Sequence, residues 1–170
     1  MRHIQSFPPI EQADARILIL GSMPGEASLS AGQYYAHPRN LFWRIMGELL
    51  GFDPAAPYSQ KAQALKSARI ALWDVLRSCR RKGSLDSGID DESLVPNDFA
   101  AFFRQHPRIT RVFFNGAKAE ACYHKHVCHT IGTEAIECLR LPSTSPANAS
   151  IPYESKLEAW QEIMVTHPDF

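Results

Sequence analysis

The stretch from Tyr34 to Asn40 gathers the side chains best suited to chemistry on a flat ligand. Tyr34 and Tyr35 offer aromatic faces of the kind that hold a base swung out of a nucleic acid, although one of them, which we expect to be Tyr34, could pack over the sheet. The amide oxygen of Asn40 can accept a hydrogen bond from water and aim it without being ionised. At a helix start, however, Asn is also a favoured cap. His37 could contact a phosphate or a water near the site, or its ring could simply form hydrogen bonds within a turn.

Two further polar segments could meet the same ligand. Asn115 precedes Gly116 after a short apolar run, and its amide could offer one donor and one acceptor to the edge of a base. Asn-Gly is also a strong turn signal on its own. The other segment consists of Ser143, Thr144 and Ser145. Its hydroxyls and backbone amides could clamp phosphates, or it could form a Ser/Pro loop that leads into the last helix.

The chain has no bulk charge, because 18 Lys and Arg balance 18 Asp and Glu. Any site for a polyanion must therefore be a local basic patch. The densest basic run lies in a loop that we predict from Asp74 to Asp91, where it could contact DNA or simply be solvated. Its residues are Arg77, Arg80, Arg81 and Lys82.

Five metal-ligating side chains crowd one stretch: Cys122, His124, His126, Cys128 and His129. Some share the i,i+4 spacing that can bind a metal on a helix, but a closed site needs four converging ligands. We expect surface histidines with buried thiols, and we predict neither a metal nor a cofactor. Gly21 to Gly25 also lacks the signatures of a P-loop and of a dinucleotide site.

Apolar runs and helical spacing predict the frame that positions these residues. Four runs are typical of buried parallel strands: Arg16–Leu20, Ile70–Trp73, Arg111–Phe114 and Ile136–Leu141. Helices are predicted at Leu41–Leu50, from Ala117 onward and at Tyr153–Met164. Strands alternating with helices predict an α/β fold, a three-layer α/β/α sandwich around a four-stranded parallel sheet.

The 170 residues fit a single domain, residues 1–170,. A ligand of such a sheet binds beyond the carboxyl ends of the strands. We therefore expect the site in the loops 21–40, 74–91, 115–116 and 142–150. With neither a membrane-length apolar stretch nor a signal core, and with cysteines that lack CxxC spacing, we expect a cytoplasmic monomer that does not bind membranes.

The pattern from Gly21 to Trp43 resembles the first motif of the uracil-DNA glycosylase superfamily. It is similar to that of the mismatch-specific uracil and thymine glycosylases, and more similar to that of the hypoxanthine-DNA glycosylase branch. Leu141 to Asn148 resembles the second motif, although Leu141 replaces its polar first residue. The first motif reads Gly21-Ser22-Met23-Pro24-Gly25, then Tyr34-Tyr35-Ala36-His37-Pro38-Arg39-Asn40-Leu41-Phe42-Trp43.

This resemblance implies a monofunctional DNA glycosylase of base excision repair. The enzyme would flip a deaminated base, with hypoxanthine the best candidate, out of double- or single-stranded DNA and hydrolyse its N-glycosidic bond to leave an abasic site. Asn40 matches the catalytic amide of the hypoxanthine branch, whereas Met23 occupies the polar position of the mismatch-specific enzymes. The implied base-binding residues are Gly21, Ser22, Met23, Tyr35 and Asn115. The implied DNA contacts are His37, Arg80, Arg81, Lys82, Ser143, Thr144 and Ser145.

Two alternatives stay open. A mismatch-specific uracil-DNA glycosylase is disfavoured because Met23 and Leu141 are apolar where catalytic groups usually stand. A non-catalytic module that binds a nucleotide or DNA is the other alternative, since each motif also has a purely structural interpretation and α/β folds serve many functions.

Overall fold

The computed structural model describes residues 1–132 and 135–165. Its strands are β1 (Arg2–Gln5), β2 (Ile17–Gly21), β3 (Ile70–Asp74), β4 (Leu76–Arg81), β5 (Val95–Pro96), β6 (Arg111–Asn115) and β7 (Glu137–Leu141). Its α-helices are α1 (Glu26–Ala31), α2 (Phe42–Leu50), α3 (Tyr58–Ser67), α4 (Phe99–Gln105), α5 (Ala117–His126) and α6 (Tyr153–Trp160).

Four strands form a parallel sheet in the order β3-β2-β6-β7. Gly21 at the end of β2 lies opposite Asp74 at the end of β3, and Asn115 at the end of β6 lies opposite Leu141 at the end of β7. The predicted four-stranded parallel sheet is confirmed. Its carboxyl ends therefore form one edge, at which the loops after these strands meet.

Both faces of this sheet are buried, as the continuous apolar runs predict. Side chains alternate between faces along a strand, so Leu18 and Leu20 belong to one core and Ile19 to the other. Residues of α4 and α5 pack into the first core, and residues of α2, α3 and α6 pack into the second. The helices thus lie on both faces, and the three-layer sandwich is confirmed.

A second sheet, antiparallel and in the order β1-β4-β5, contradicts one prediction. The basic run lies mostly in strand β4 instead of a loop. Arg77 and Arg80 are exposed, whereas Cys79 and Arg81 are buried. The hydrophobicity pattern did not indicate a strand here because it counts arginine as polar, whereas Arg81 is buried in the structure.

The predicted helices at residues 41–50 and from Ala117 onward are confirmed as α2 and α5. The closing helix ends earlier than predicted, at Trp160, and a 3₁₀ turn follows over Gln161–Met164. Short or polar helices such as α1 and α3 escaped prediction, since α3 buries only Leu65. Within the residues described, every helix is too short or too polar to cross a membrane.

Trp160→Ala tests the second core. The side chain is fully buried, its ring packs edge-on against Phe42 at 5.9 Å, and its indole N–H donates to the Pro142 carbonyl at 2.9 Å. We expect the free energy of unfolding to fall by about 3–5 kcal/mol, since a large cavity and an unpaired carbonyl remain. Urea denaturation measures this. Leu139→Ala, at an exposed position, is the control and should change stability by less than about 1 kcal/mol,. Similar losses of unfolding free energy in both variants would contradict the assignment of Trp160 to the second core.

Candidate active site

A cavity of about 890 Å³ opens at the carboxyl edge of the parallel sheet. The last residue of each parallel strand lines it: Gly21, Asp74, Asn115 and Leu141. Residues of all four predicted loops also line the wall. The sequence-predicted site residues that it brings together are Gly21, Ser22, Met23, Tyr35, His37, Asn40, Asn115, Ser143, Thr144 and Ser145.

Two polar side chains approach the sheet closely at Gly21. A Cβ atom there would lie 2.6 Å from the Asp74 Oδ1 atom and 2.8 Å from the Tyr35 hydroxyl, nearer than packed atoms come. The Gly21 carbonyl also accepts a hydrogen bond from the Val75 N–H at 2.8 Å, which holds the end of β2 against the segment after β3. Position 21 therefore requires glycine because a side chain would not fit there, and not because of a backbone turn.

Tyr34 and Tyr35 have different environments. Tyr34 is buried and donates its hydroxyl hydrogen to the Pro8 carbonyl at 2.8 Å, so it packs in the core as expected. The Tyr35 ring lines the cavity and packs on Phe42 with ring centroids 4.3 Å apart. Tyr35 also has a φ of 54°, a strained value for a non-glycine residue, which the surrounding contacts must hold,. Burial, aided by the Asp74 carboxylate, raises the pKa of Tyr35 and keeps it a neutral phenol.

Asn40 lines the cavity and lies two residues before helix α2. Its Oδ1 atom accepts a hydrogen bond from the Phe42 N–H at 3.0 Å, which closes a turn in front of the helix,. The helix cap itself is Leu41, without a side-chain hydrogen bond, so the capping interpretation of Asn40 is wrong by one residue. The turn leaves the second lone pair of the amide oxygen for chemistry. His37 likewise lines the cavity while its Nδ1 atom accepts from the Arg39 N–H at 3.0 Å.

Asn115 and Thr144 are joined by two reciprocal hydrogen bonds. The Asn115 amide nitrogen donates to the Thr144 hydroxyl and the Thr144 N–H donates to the Asn115 Oδ1 atom, both at 2.9 Å. The Asn115 side chain also faces the Tyr35 hydroxyl, whose pKa it lowers against the larger effect of burial. These two bonds use one of the two N–H donors and one of the two acceptor lone pairs of the amide. Thr144 is fully buried and its carbonyl accepts from the Leu41 N–H at 3.0 Å. This contradicts the prediction that the Thr144 side chain contacts DNA.

Ser143 and Ser145 are half-buried on the cavity wall. The Ser143 hydroxyl accepts from the Ser145 N–H and the Ser145 hydroxyl from the Ala147 N–H, each at 3.2 Å. Ser22 donates its hydroxyl hydrogen to Asp86 Oδ1 at 2.6 Å. These hydroxyls stabilise loops around the cavity, and their phosphate contacts stay a prediction.

Asp74 is the site residue that the sequence interpretation missed. Its side chain is 3% exposed, and Oδ2 lacks a hydrogen-bond partner among the residues described. Burial raises the Asp74 pKa from 3.8 to about 7, with a further contribution from the Asp86 carboxylate and an opposing one from the Arg81 guanidinium. The available signal was an acid directly after an apolar strand, at the edge where ligands bind. Arg140, an exposed cation at the cavity wall, was also missed.

The comparison with protein families agrees with this arrangement. The family model described as the uracil DNA glycosylase superfamily matches residues 8–164. The chain belongs to this superfamily. It is therefore a DNA glycosylase, and the resemblance seen in its motifs is confirmed.

Several known proteins are similar to this glycosylase along most of its length. A Methanosarcina barkeri protein named hypoxanthine DNA glycosylase is 41% identical over 116 residues, which cover 68% of this chain and 72% of the relative. A Methanosarcina acetivorans protein of the same name is 38% identical over 145 residues, covering 85% of this chain and 87% of the relative. A solution NMR structure from Methanosarcina acetivorans, described provisionally as a uracil DNA glycosylase, has a TM-score of 0.79 and 35% identity, with 95% of this chain and 96% of that chain covered.

The basic run of the glycosylase separates into inward and outward side chains. Arg81 is 2% exposed and its guanidinium donates to the Pro24 carbonyl at 2.6 Å and the Gly83 carbonyl at 2.8 Å. This contradicts the prediction that Arg81 contacts DNA, because its donors hold the loop after β2. Arg80 is exposed and pairs with Asp90 at 2.7 Å, and Lys82 is exposed. Their DNA contacts stay a prediction.

The cysteine and histidine cluster also has a clear geometry. Cys122 is buried, while Cys128 Sγ lies 3.3 Å from His124 Nδ1. In the part of the chain that the structure describes, no three His, Cys, Asp or Glu side chains converge as metal ligands do.

Arg81→Gln and Arg80→Gln form a matched pair that compares the buried arginine, which bonds the loop backbone, with the exposed one. We expect Arg81→Gln to lower the free energy of unfolding by about 1–3 kcal/mol, because two carbonyls lose a charged donor. Arg80→Gln removes an exposed ion pair and should lower it by less than about 1 kcal/mol. Urea denaturation of both variants measures the difference. Equal losses would show that the inward arginine does not stabilise the motif loop.

Proposed function

We propose that this glycosylase removes hypoxanthine from deoxyinosine in damaged DNA and leaves an abasic site. The observation that carries the proposal is the convergence of Asn40, Tyr35 and Asn115 on one cavity. The names of the two Methanosarcina relatives support the choice of base. Met23 argues against uracil as the main substrate, because it is 8% exposed and belongs to the apolar core.

The extruded base lies against Tyr35. Phe42 packs on the same ring at 4.3 Å and limits its movement, so the surface is organised before the base arrives,. The amide of Asn115 offers its remaining donor and acceptor to the base. The cavity, at about 890 Å³, lies within the range of roughly 300–1,000 Å³ typical of small-molecule sites, so a purine nucleotide fits,.

Asn40 orients the attacking water. The hydrogen bond from the Phe42 N–H fixes the amide, and its second lone pair accepts a hydrogen bond from water,. The water oxygen bonds to C1′ while the bond from C1′ to N9 breaks and its electron pair leaves with the base. Backbone amides near Ser22 and Met23 stabilise the charge that builds on the base, as in an oxyanion hole. A proton from the water is released and the base is protonated.

The proposed phosphate contacts lie on the cavity wall and along the basic run. Arg140, on the wall, and Arg80, in the run, are exposed cations that can exchange their surface ion pairs with Glu120 and Asp90 for phosphate, and Lys82 is exposed beside Arg81,. Together with His37, Ser143 and Ser145 they supply a local basic and polar surface on a chain without net charge,. No lysine is among the described residues that line the cavity, so we propose hydrolysis without a Schiff base or strand cleavage.

Duplexes that each carry one deoxyinosine, deoxyuridine or deoxyxanthosine test the substrate. After incubation with excess protein, alkali converts abasic sites into strand breaks. We expect the fastest single-turnover excision for deoxyinosine. Intact deoxyinosine strands at high protein concentration would refute the proposal, and faster loss of uracil would favour the mismatch-specific alternative.

Asn40→Ser separates catalysis from the turn in front of α2. A serine hydroxyl can accept the same kind of i→i+2 hydrogen bond, although more weakly, so stability should change by less than about 1 kcal/mol. Its shorter side chain cannot hold the water at the same place, so single-turnover excision should fall by about 10²-fold. Asn40→Ala is the comparison, since it should lose activity and also about 1 kcal/mol of stability. Wild-type rates in a well-folded Asn40→Ser variant would leave Asn40 with a role in the turn alone.

A further inference from the structure

A second, smaller cavity adjoins the candidate active site. Its volume is about 260 Å³, and Tyr35, His37 and Asn40 line it as well as the larger cavity. Arg44 and Lys61 add two cations to its wall, and no acidic side chain is among the described residues that line it. A concave surface with charges of one sign attracts a ligand of the opposite charge, so this cavity is suited to an anion.

The Lys61 ammonium group is held in place by its neighbours. Its Nζ atom lies 5.1 Å from the centroid of the Trp43 ring and donates to the Pro54 carbonyl at 3.1 Å. The Trp43 indole is itself fixed, because its N–H donates to the Tyr34 carbonyl at 2.8 Å. Two of the three N–H donors of Lys61 remain for a ligand. Burial lowers the pKa of Lys61, and an anion bound beside it would oppose that effect,.

The Arg44 guanidinium is also positioned before any ligand arrives. It stacks on the ring of Tyr153, with its central carbon 3.7 Å from the ring centroid. The Tyr153 hydroxyl donates to Glu48 Oε1 at 2.6 Å, which fixes the ring and engages the acid that lies one helical turn after Arg44. Stacking covers the face of a guanidinium and leaves the N–H donors at its edge. Among the described residues, neither Arg44 nor Lys61 forms an ion pair.

This cavity lies on the opposite face of the parallel sheet from the basic run. Residues of α2 and α3, the helices that carry Arg44 and Lys61, pack into the second core, whereas Leu76 and Cys79 of β4 pack into the first. A DNA strand that places one nucleotide in the larger cavity continues on both sides of it. The basic run and this cavity therefore supply cations to either side of the candidate active site.

We propose that Arg44 and Lys61 form a binding site for a phosphate of the DNA strand that carries the flipped nucleotide. The site lies beside Asn40, so the phosphate belongs to a nucleotide close to the flipped one. His37 adds a donor, because its Nδ1 atom accepts from the Arg39 N–H and the neutral ring then carries its hydrogen on Nε2,. The inference rests on the glycosylase family of the chain and not on the base that the enzyme removes.

Binding to duplex DNA with a tetrahydrofuran abasic analogue tests the site. This DNA has no base to release, so its affinity does not depend on the substrate. Fluorescence anisotropy gives the dissociation constant over a series of salt concentrations. The variants are Arg44→Gln and Lys61→Gln. The matched controls are Arg104→Gln, at an exposed position of α4, and Lys66→Gln, on the same helix as Lys61.

We expect each of the two variants to bind this DNA about 5- to 10-fold more weakly at about 0.1 M salt, because a contact to phosphate is lost. The slope of log affinity against log salt should become less steep by about 0.9 per variant. Lys61→Arg, which keeps the charge, should restore most of the affinity. Neither control should change the affinity by more than about 2-fold.

Neutral methylphosphonates identify the phosphate that is bound. They replace, one at a time, the phosphates near the abasic analogue. In the wild type, neutralising the bound phosphate should weaken binding by about 5- to 10-fold. In each single variant the same replacement should have a smaller effect. In a variant with both cations replaced by Gln the effect should be less than about 2-fold, since the protein and DNA changes remove the same contact and are coupled.

Equal affinities and salt slopes for the two variants and their controls would overturn the inference. Weaker binding that is coupled to none of the neutralised phosphates would also overturn it, because that result indicates only a long-range attraction. Arg44 is exposed and Lys61 is half-buried, so the variants should fold. Should one not fold, as judged by circular dichroism, the coupling measured with the other decides. A wild type that releases no hypoxanthine would refute the proposed function and leave this binding test intact.

Discussion

The missing side chain at Gly21 is the constraint on which the rest of the site depends. The carboxyl group of Asp74 and the hydroxyl of Tyr35 both occupy space that a Cβ atom would fill, at 2.6 and 2.8 Å from its position. Any larger residue would push the floor and the aromatic wall of the cavity apart. A parallel sheet makes this possible, because it brings the end of β3, with Asp74, beside the end of β2, from which the loop that carries Tyr35 leaves.

Hydrogen bonds between loops then hold the wall in place. Asn115 and Thr144 join the loops after β6 and β7, and the Thr144 carbonyl accepts from Leu41 at the start of α2. Asn40 closes the turn in front of the same helix by accepting from the Phe42 N–H. Side chains held in this way need little reorganisation when a ligand binds, which is how a site keeps catalytic groups within a fraction of an ångström of their working positions. The contacts that look merely structural are thus also what fixes the proposed chemistry.

The charged side chains around the site are of two kinds, buried and exposed. Arg81 is turned inward, where it bonds the backbone of the motif loop and lies close enough to Asp74 to favour its ionised form. Burial of Asp74 has the larger, opposite effect. Arg80, Lys82 and Arg140 are exposed, and Arg80 and Arg140 lie in surface ion pairs with Asp90 and Glu120.

The sequence by itself determined the parallel sheet, its three layers and the edge at which the site lies. Those features depend on local pattern, since an apolar run ending at Gly21, or before Asn115, specifies a buried strand and its end. Tertiary structure alone decided the burial and the partners of Asp74, Arg81 and Thr144. Whether a polar side chain is buried, paired or left open to a ligand depends on which strands become its neighbours, and spacing along the chain does not encode those neighbours for a single residue.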